Sequence, residues 1–270
     1  MSEREDLLAS VPDGPVPARL EGRRLLDLVR VMARLRGPAG CPWDHEQTHR
    51  SLARHLLEET HETLEAIDAD DGDALRDELG DLLLQVAFHA QIAADDGAWD
   101  IDDVAEAIVA KLIRRHPHVF GDVKVSGAEE VLTNWERIKA REKGERGDVD
   151  ADIPDSLPAL ARAAKVQRRA AGWGFDRRTH ETAMAGLREE VDELDRALDH
   201  DDVEEEVGDV LFATVALARK HGVDAEGALR CTTRVFADRY ERFTTLAEKR
   251  GLNVDELDEN EARALFREAR

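Results

Sequence analysis

The chain is poor in cysteine, in basic charge, in long apolar runs and in strand-like alternation, and each shortage excludes a class of protein. Its two cysteines in 270 residues, Cys41 and Cys231, lie far apart. They form neither a metal-ligand spacing nor a disulfide framework, and they fit a reducing compartment. Lys+Arg number 38 against Asp+Glu 60, a formal charge of −22. Such a surface repels phosphate backbones and anionic membranes, which argues against nucleic-acid and membrane partners. A polyanionic substrate must therefore be met through bound cations or a local basic patch. The longest apolar run, around Leu82 to Phe88, is far too short to span a bilayer. The stretch from Met1 to Ala18 is acidic and contains proline but no apolar signal core. The expected location is the cytoplasm.

What the sequence has in abundance is helical periodicity. Leu25, Leu28, Val29, Met32 and Leu35 fall on one helical face, and similar stripes recur from Leu52 to Ile67, Leu75 to Ile92 and Val104 to Ile113. The Gly37-Pro38-Ala39-Gly40-Cys41-Pro42 stretch breaks one helix before the next, Asp71-Gly72-Asp73 reads as a turn, and His116-Pro117 closes another helix. Helices joined by short turns predict an all-α fold of bundle type. The chain is long enough for two compact units. Between Arg141 and Pro158 it turns Gly-, Asp- and Pro-rich without an apolar period. The expected organisation is an N-terminal tail over 1–19, a first helical domain over 20–142, a linker over 143–157 and a second helical domain over 158–270.

Internal repetition supports that division. Leu57-Glu58-Glu59-Thr60-His61-Glu62 is followed by Glu78-Leu79-Gly80-Asp81-Leu82-Leu83. In the second half, Arg188-Glu189-Glu190-Val191-Asp192-Glu193 is followed by Glu206-Val207-Gly208-Asp209-Val210-Leu211. One E-x-x-E is commonplace on a solvated helix; the ordered pair, occurring twice with similar gaps, is specific. Residues i and i+3 share a helix face, so Glu59 projects with Glu62 and Glu78 with Asp81, as do Glu190 with Glu193 and Glu206 with Asp209. Four carboxylates on facing helices repel one another unless a cation sits among them. Mg²⁺, which takes carboxylate oxygens, retains waters and bridges to phosphates, is the natural occupant, and Mn²⁺ is an expected substitute. Leu82, Leu83 and Val86 beside the motif read as buried, and Gly80 and Gly208 as small residues that let facing helices approach. A carboxylate-bridged di-iron centre needs an E-x-x-H on each of two helices. Glu58 and His61 have that spacing, but Asp192 stands where the second half would need histidine. His45, His49 and His55 read as solvated.

These motifs, with Cys41-Pro42-Trp43-Asp44 and Gln47-Thr48, Arg114-Arg115-His116-Pro117-His118-Val119-Phe120, and Gly174-Phe175-Asp176, carry a family resemblance. Over about residues 20 to 265 the chain resembles the MazG family of nucleoside triphosphate pyrophosphohydrolases in its tandem two-domain form. The resemblance implies two MazG-like helical domains in a homodimer that hydrolyses NTPs and dNTPs to the monophosphate and diphosphate, in nucleotide-pool housecleaning. On that reading the carboxylates hold Mg²⁺, which neutralises the triphosphate and lowers the pKa of a water that attacks the α-phosphorus. Glu58 or Glu59 is the base. The leaving diphosphate also needs cationic groups. Those implied are Lys111, Arg114 and Arg115 in the first half, and Lys165, Arg168 and Arg169 in the second. Trp43, with Asp44 beside it, reads either as a stacking surface for the base or as a core anchor.

The halves are unequal. Active second domains of the family carry Asn after E-x-x-D and a K-F-x-R-R-[FY] segment, where this chain has Ala216 and Val235-Phe236-Ala237-Asp238-Arg239-Tyr240. The first half is therefore expected to be the working one. Two rival readings are a narrow dUTPase-like or dCTPase-like hydrolase of the same superfamily, and a non-catalytic helical interaction module.

Overall fold

The computed structural model of the chain describes residues 23–127, 130, 131, 134, 135, 138, 149–151, 153–175 and 179–270. Among the described residues every regular element is a helix. The chain divides into two compact units, Met1–Ile138 and Lys139–Arg270. The tail over 1–19 and residues 143–148 of the expected linker lie outside the described residues.

The first unit contains α1 (Arg23–Arg36), α2 (Pro42–Glu46), α3 (His49–Asp68), α4 (Gly72–Asp95), α5 (Ile101–Arg115) and α6 (Pro117–Phe120). Local chemistry sets the ends. Thr48 and Ser51 form a reciprocal capping box at the start of α3, and the Asp71 carboxylate accepts from the N–H groups of Asp73 and Ala74 to start α4. The turn between them closes the α3–α4 hairpin, with Asp70 in the left-handed region at φ 55°. Met32 from α1, Leu52 from α3, and Ala87, Phe88 and Ile92 from α4 make the core, with Leu28, Leu35 and Leu84 packed on it. Each large side chain buried there contributes about 1.5–3 kcal/mol.

Two expectations about the hairpin helices are corrected. Leu83 and Val86 are 42% and 41% exposed and Leu82 is only half-buried, because Leu84, Ala87, Phe88 and Ile92 take the inward face. With Leu79, Leu83 and Val86 form a second apolar stripe at i, i+4 and i+7, facing outward in the monomer. Gly80 and Gly208 do not ease helix approach within the chain: a Cβ on either meets nothing within 4 Å.

The second unit contains α7 (Ala159–Gly172), α8 (His180–Leu194), α9 (His200–Lys220), α10 (Ala225–Lys249), a 3-10 turn over Val254–Glu256, and α11 (Glu259–Glu268). Thr179 and Asp199 cap the hairpin helices α8 and α9. Helix α7 lies against α9 and α10, and α11 folds onto α10 through Phe243, Ala247, Leu265 and Ala269. Part of the expected linker packs onto this unit: Ile153 is buried, and Arg162 pairs with Asp150 and Asp155.

Candidate active site

Each hairpin presents its carboxylates as helix periodicity dictates. On α3 and α4, one oxygen from each of Glu59, Glu78 and Asp81 lies within 4.8 Å of the others. Glu62, one turn on from Glu59 on α3, lies outside that trio but adds its charge to the field at Glu59. Partial loss of hydration, then the charges of Asp81, Glu62 and Glu78, raise the pKa of Glu59 above its ordinary value. Glu78 is raised too, first by lost hydration and then by Glu62, Asp81 and Asp77. The second hairpin also gathers three of its four carboxylates, but with Glu193 included and Asp209 outside the trio. Oxygens of Glu190, Glu193 and Glu206 lie within 4.8 Å of one another. Glu206 is raised by lost hydration, then by Glu193, Asp209, Glu190 and Glu205.

Converging carboxylates that hold their protons tightly are the signature of a site built around positive charge. The Glu206 Oε2 atom is buried with no hydrogen-bond partner. An acceptor kept from water without a donor, among oxygen-only ligands, suits a hard divalent cation. The donor sets of both hairpins therefore fit such an ion.

Beside the first quartet stands an aromatic corner. The Trp43 ring, half-exposed, meets His55 edge-on at 6.1 Å and Phe88 at 6.4 Å between centroids. It is thus both anchored on the core and open to solvent. His55 is half-buried rather than solvated: its Nε2 accepts from Arg54 Nε at 3.2 Å, which leaves Nδ1–H to donate to Glu58 at 3.1 Å. Glu58 is engaged there, while Glu59 lies in the quartet. His49 and His89 also face each other, Nδ1 to Nδ1 at 2.7 Å.

The MazG nucleotide pyrophosphohydrolase domain matches this chain twice, over residues 47–120 and 178–243, and each match spans one carboxylate hairpin. The chain is 46% identical over 232 residues to the nucleoside triphosphate pyrophosphohydrolase/pyrophosphatase MazG of Thermotoga maritima, covering 86% of this chain and 89% of that one. It is also 46% identical over 239 residues to the nucleoside triphosphate pyrophosphohydrolase of Escherichia coli K12, covering 86% and 91%. The Mycobacterium tuberculosis protein of the same name is 40% identical over 254 residues, covering 92% and 66%.

The chain belongs to the MazG family.

The basic residues that MazG resemblance singles out fall into different settings. Arg114 and Arg115 occupy the last turn of α5, with Lys111 exposed one turn earlier. That end of α5 is also where the helix dipole favours cations. In the second MazG unit, Lys165, Arg168 and Arg169 lie on α7. Arg168 is exposed, but Arg169 donates from Nη1 to the Val149 carbonyl at 3.0 Å and to the Ala151 carbonyl, holding the chain ahead of α7. Val235 and Asp238 are exposed on α10, and Arg239, the arginine retained there, donates to the Phe266 carbonyl at 2.8 Å and lies 4.3 Å over the Phe266 ring. The sequence reading missed Arg36, which is buried beneath the Trp43 turn.

Proposed function

We propose that this chain is a nucleoside triphosphate pyrophosphohydrolase, converting NTPs or dNTPs and water to the monophosphate and diphosphate, and that it works in the cytoplasm as a homodimer. The observation that carries the reading is the convergence of Glu59, Glu78 and Asp81, with Glu62 one turn from Glu59 on the same hairpin, in a MazG-family chain. Mg²⁺, replaceable by Mn²⁺, fits those ligands and, when bound, supplies neutralisation of the triphosphate charge and a water of lowered pKa. Glu59, whose carboxylate lies among the converging oxygens where the attacking water would be held, is the base. The water oxygen bonds to the α-phosphorus, the bond from that phosphorus to the bridging oxygen breaks, and diphosphate leaves. Lys111, Arg114 and Arg115 receive the developing charge on diphosphate. Glu58 orients His55 rather than acting on water.

The first half carries turnover. Glu190, Glu193 and Glu206, with Asp209 on the same hairpin, would hold an ion as well, but Asp238 adds negative charge where the family has a cation, and Arg169 and Arg239 are committed to carbonyl groups. Lys165 and Arg168, on α7, are the other basic residues that the family resemblance implies there. Dimerisation is supported by the outward apolar stripe of Leu79, Leu83 and Val86, which lies on the hairpin of the quartet. The test is a panel of NTPs and dNTPs with Mg²⁺ in ¹⁸O-water, with products separated by ion exchange. Monophosphate carrying the label, with unlabelled diphosphate, supports the reading. Release of nucleoside diphosphate and orthophosphate refutes it.

A further inference from the structure

Helix α2 is five residues long, buries none of them and has no side-chain cap at Cys41, yet it carries Trp43. A helix this short does not hold its own position. What holds it is Arg36, the last residue of α1, which is 8% exposed. Its Nη1 donates to the Asp44 carbonyl at 2.7 Å and the Gln47 carbonyl at 3.2 Å, and its Nε donates to Asp95 Oδ2 at 2.7 Å. The guanidinium lies 5.7 Å from the centre of the Phe88 ring, the ring against which Trp43 packs. His45 Nδ1 meets the Arg36 carbonyl at 2.9 Å. Asp95 is itself fixed by Gln91 Nε2 at 2.7 Å. The connection is drawn tight at Gly40, where a Cβ would come 2.0 Å from the Leu35 carbonyl oxygen. One guanidinium fork thus joins α1, the Trp43 turn and the end of α4, a geometry that lysine, a single point donor, does not reproduce.

We propose that Arg36 is the positioning residue of the first-half nucleotide site. It fixes the turn so that the exposed face of Trp43 and the edge of His55 receive the nucleoside while the α3–α4 carboxylates receive the triphosphate. This rests on the pyrophosphohydrolase reading above. Spacing supports it: His55 and Glu59 are four residues apart on α3, roughly 6 Å along the axis, and the Trp43 ring centre is 6.1 Å from that of His55. Base and phosphates of one nucleotide span such a distance. Phe175, in the Gly174-Phe175-Asp176 motif ahead of the second carboxylate hairpin, is 84% exposed, against 51% for Trp43.

The experiment uses full-length Arg36→Lys, Asp95→Asn, Trp43→Ala and the Arg36→Lys/Trp43→Ala double variant, each confirmed folded by circular dichroism. It measures kcat and KM for an NTP with Mg²⁺, and inhibition by inorganic tripolyphosphate, which has no nucleoside. Arg36→Lys is expected to raise KM about tenfold, the scale of one lost base-stacking contact, with kcat little changed. Tripolyphosphate inhibition should be unmoved, and Arg36→Lys should add nothing further in the Trp43→Ala background. Asp95→Asn, which keeps the shape and the carbonyl contacts, should give the same pattern more weakly, and it carries the test should Arg36→Lys fail to fold. An unchanged KM, a parallel loss of tripolyphosphate binding, or additivity with Trp43→Ala overturns the proposal while leaving the hydrolase reading intact. A wild-type protein that releases no monophosphate overturns both.

Discussion

Asp81→Asn should make the metal-free protein more stable and the metal-loaded protein less stable than wild type. Oxygens of Glu59 and Asp81 lie within 4.8 Å, a separation at which two unit charges repel by about 1 kcal/mol even in bulk water. Asn keeps the shape and removes that repulsion. At about 2–4 °C per kcal/mol for a chain of this size, the variant should melt a few degrees higher in EDTA. With Mg²⁺ at a hundred times its Kd, wild type gains about 2.7 kcal/mol, and the variant, lacking one carboxylate ligand, gains clearly less. The two orders of melting temperature therefore cross as Mg²⁺ is added. The pH dependence has a definite sign. Glu59 binds its proton more tightly folded than unfolded, so metal-free stability falls as pH rises from the ordinary value of 4.5, and the loss is complete above the raised pKa. The advantage of Asn should accordingly be absent near pH 4 and full at neutral pH. Differential scanning fluorimetry on both proteins, with and without Mg²⁺, reads all of this. A lower melting temperature for Asp81→Asn in EDTA, or an equal Mg²⁺ gain in both proteins, refutes the electrostatic account.

In a side-by-side assay Glu62→Gln should abolish most NTP hydrolysis, whereas Glu193→Gln or Asp209→Asn should leave most of it; the reverse order would assign turnover to the second half. Hydrolysis should stop in EDTA and return with Mg²⁺ or Mn²⁺, and full activity in the chelator would exclude the carboxylate mechanism. Replacing Leu83 on the outward stripe by Glu should shift the protein from dimer to monomer in sedimentation velocity, and an unchanged sedimentation coefficient would place the subunit contact elsewhere. Phe88→Ala should destabilise the first unit by about 3–5 kcal/mol, because Phe88 is 3% exposed in the core beneath Trp43, with retention of the native melting temperature as the contrary result.

The clustering of Glu59, Glu78 and Asp81, and of Glu190, Glu193 and Glu206, was legible because i, i+3 spacing on a helix fixes which side chains share a face, and because the pattern occurs twice. The breaks at Gly37–Pro42 and at His116-Pro117 were legible for a similar reason, since glycine and proline act on the backbone locally. The inward face of α4 was not. Leu79, Leu83 and Val86 satisfy helical periodicity as well as Leu84, Phe88 and Ile92 do, and only the positions of α1 and α3 choose between them. Gly80 was misread with them, as a contact within the chain rather than an open position. Arg36 was invisible because its burial depends on Asp95, a partner distant in sequence, and on two backbone carbonyls whose direction is set by the turn. His55 was hidden likewise, since its tautomer follows from Arg54 and Glu58 only once the side chains are placed.

Each set of four carboxylates is contained within a single hairpin, so all four are close in sequence. Bringing them together closes only a short loop, which costs little chain entropy and requires no long-range pairing. On the proposed reading, the ion site would therefore assemble as early as its hairpin does and act as a local clasp during folding. The same containment makes each hairpin a portable unit: one copy is free to drift, lose its phosphate-binding cations and keep only its clasp, while the other continues to do the chemistry.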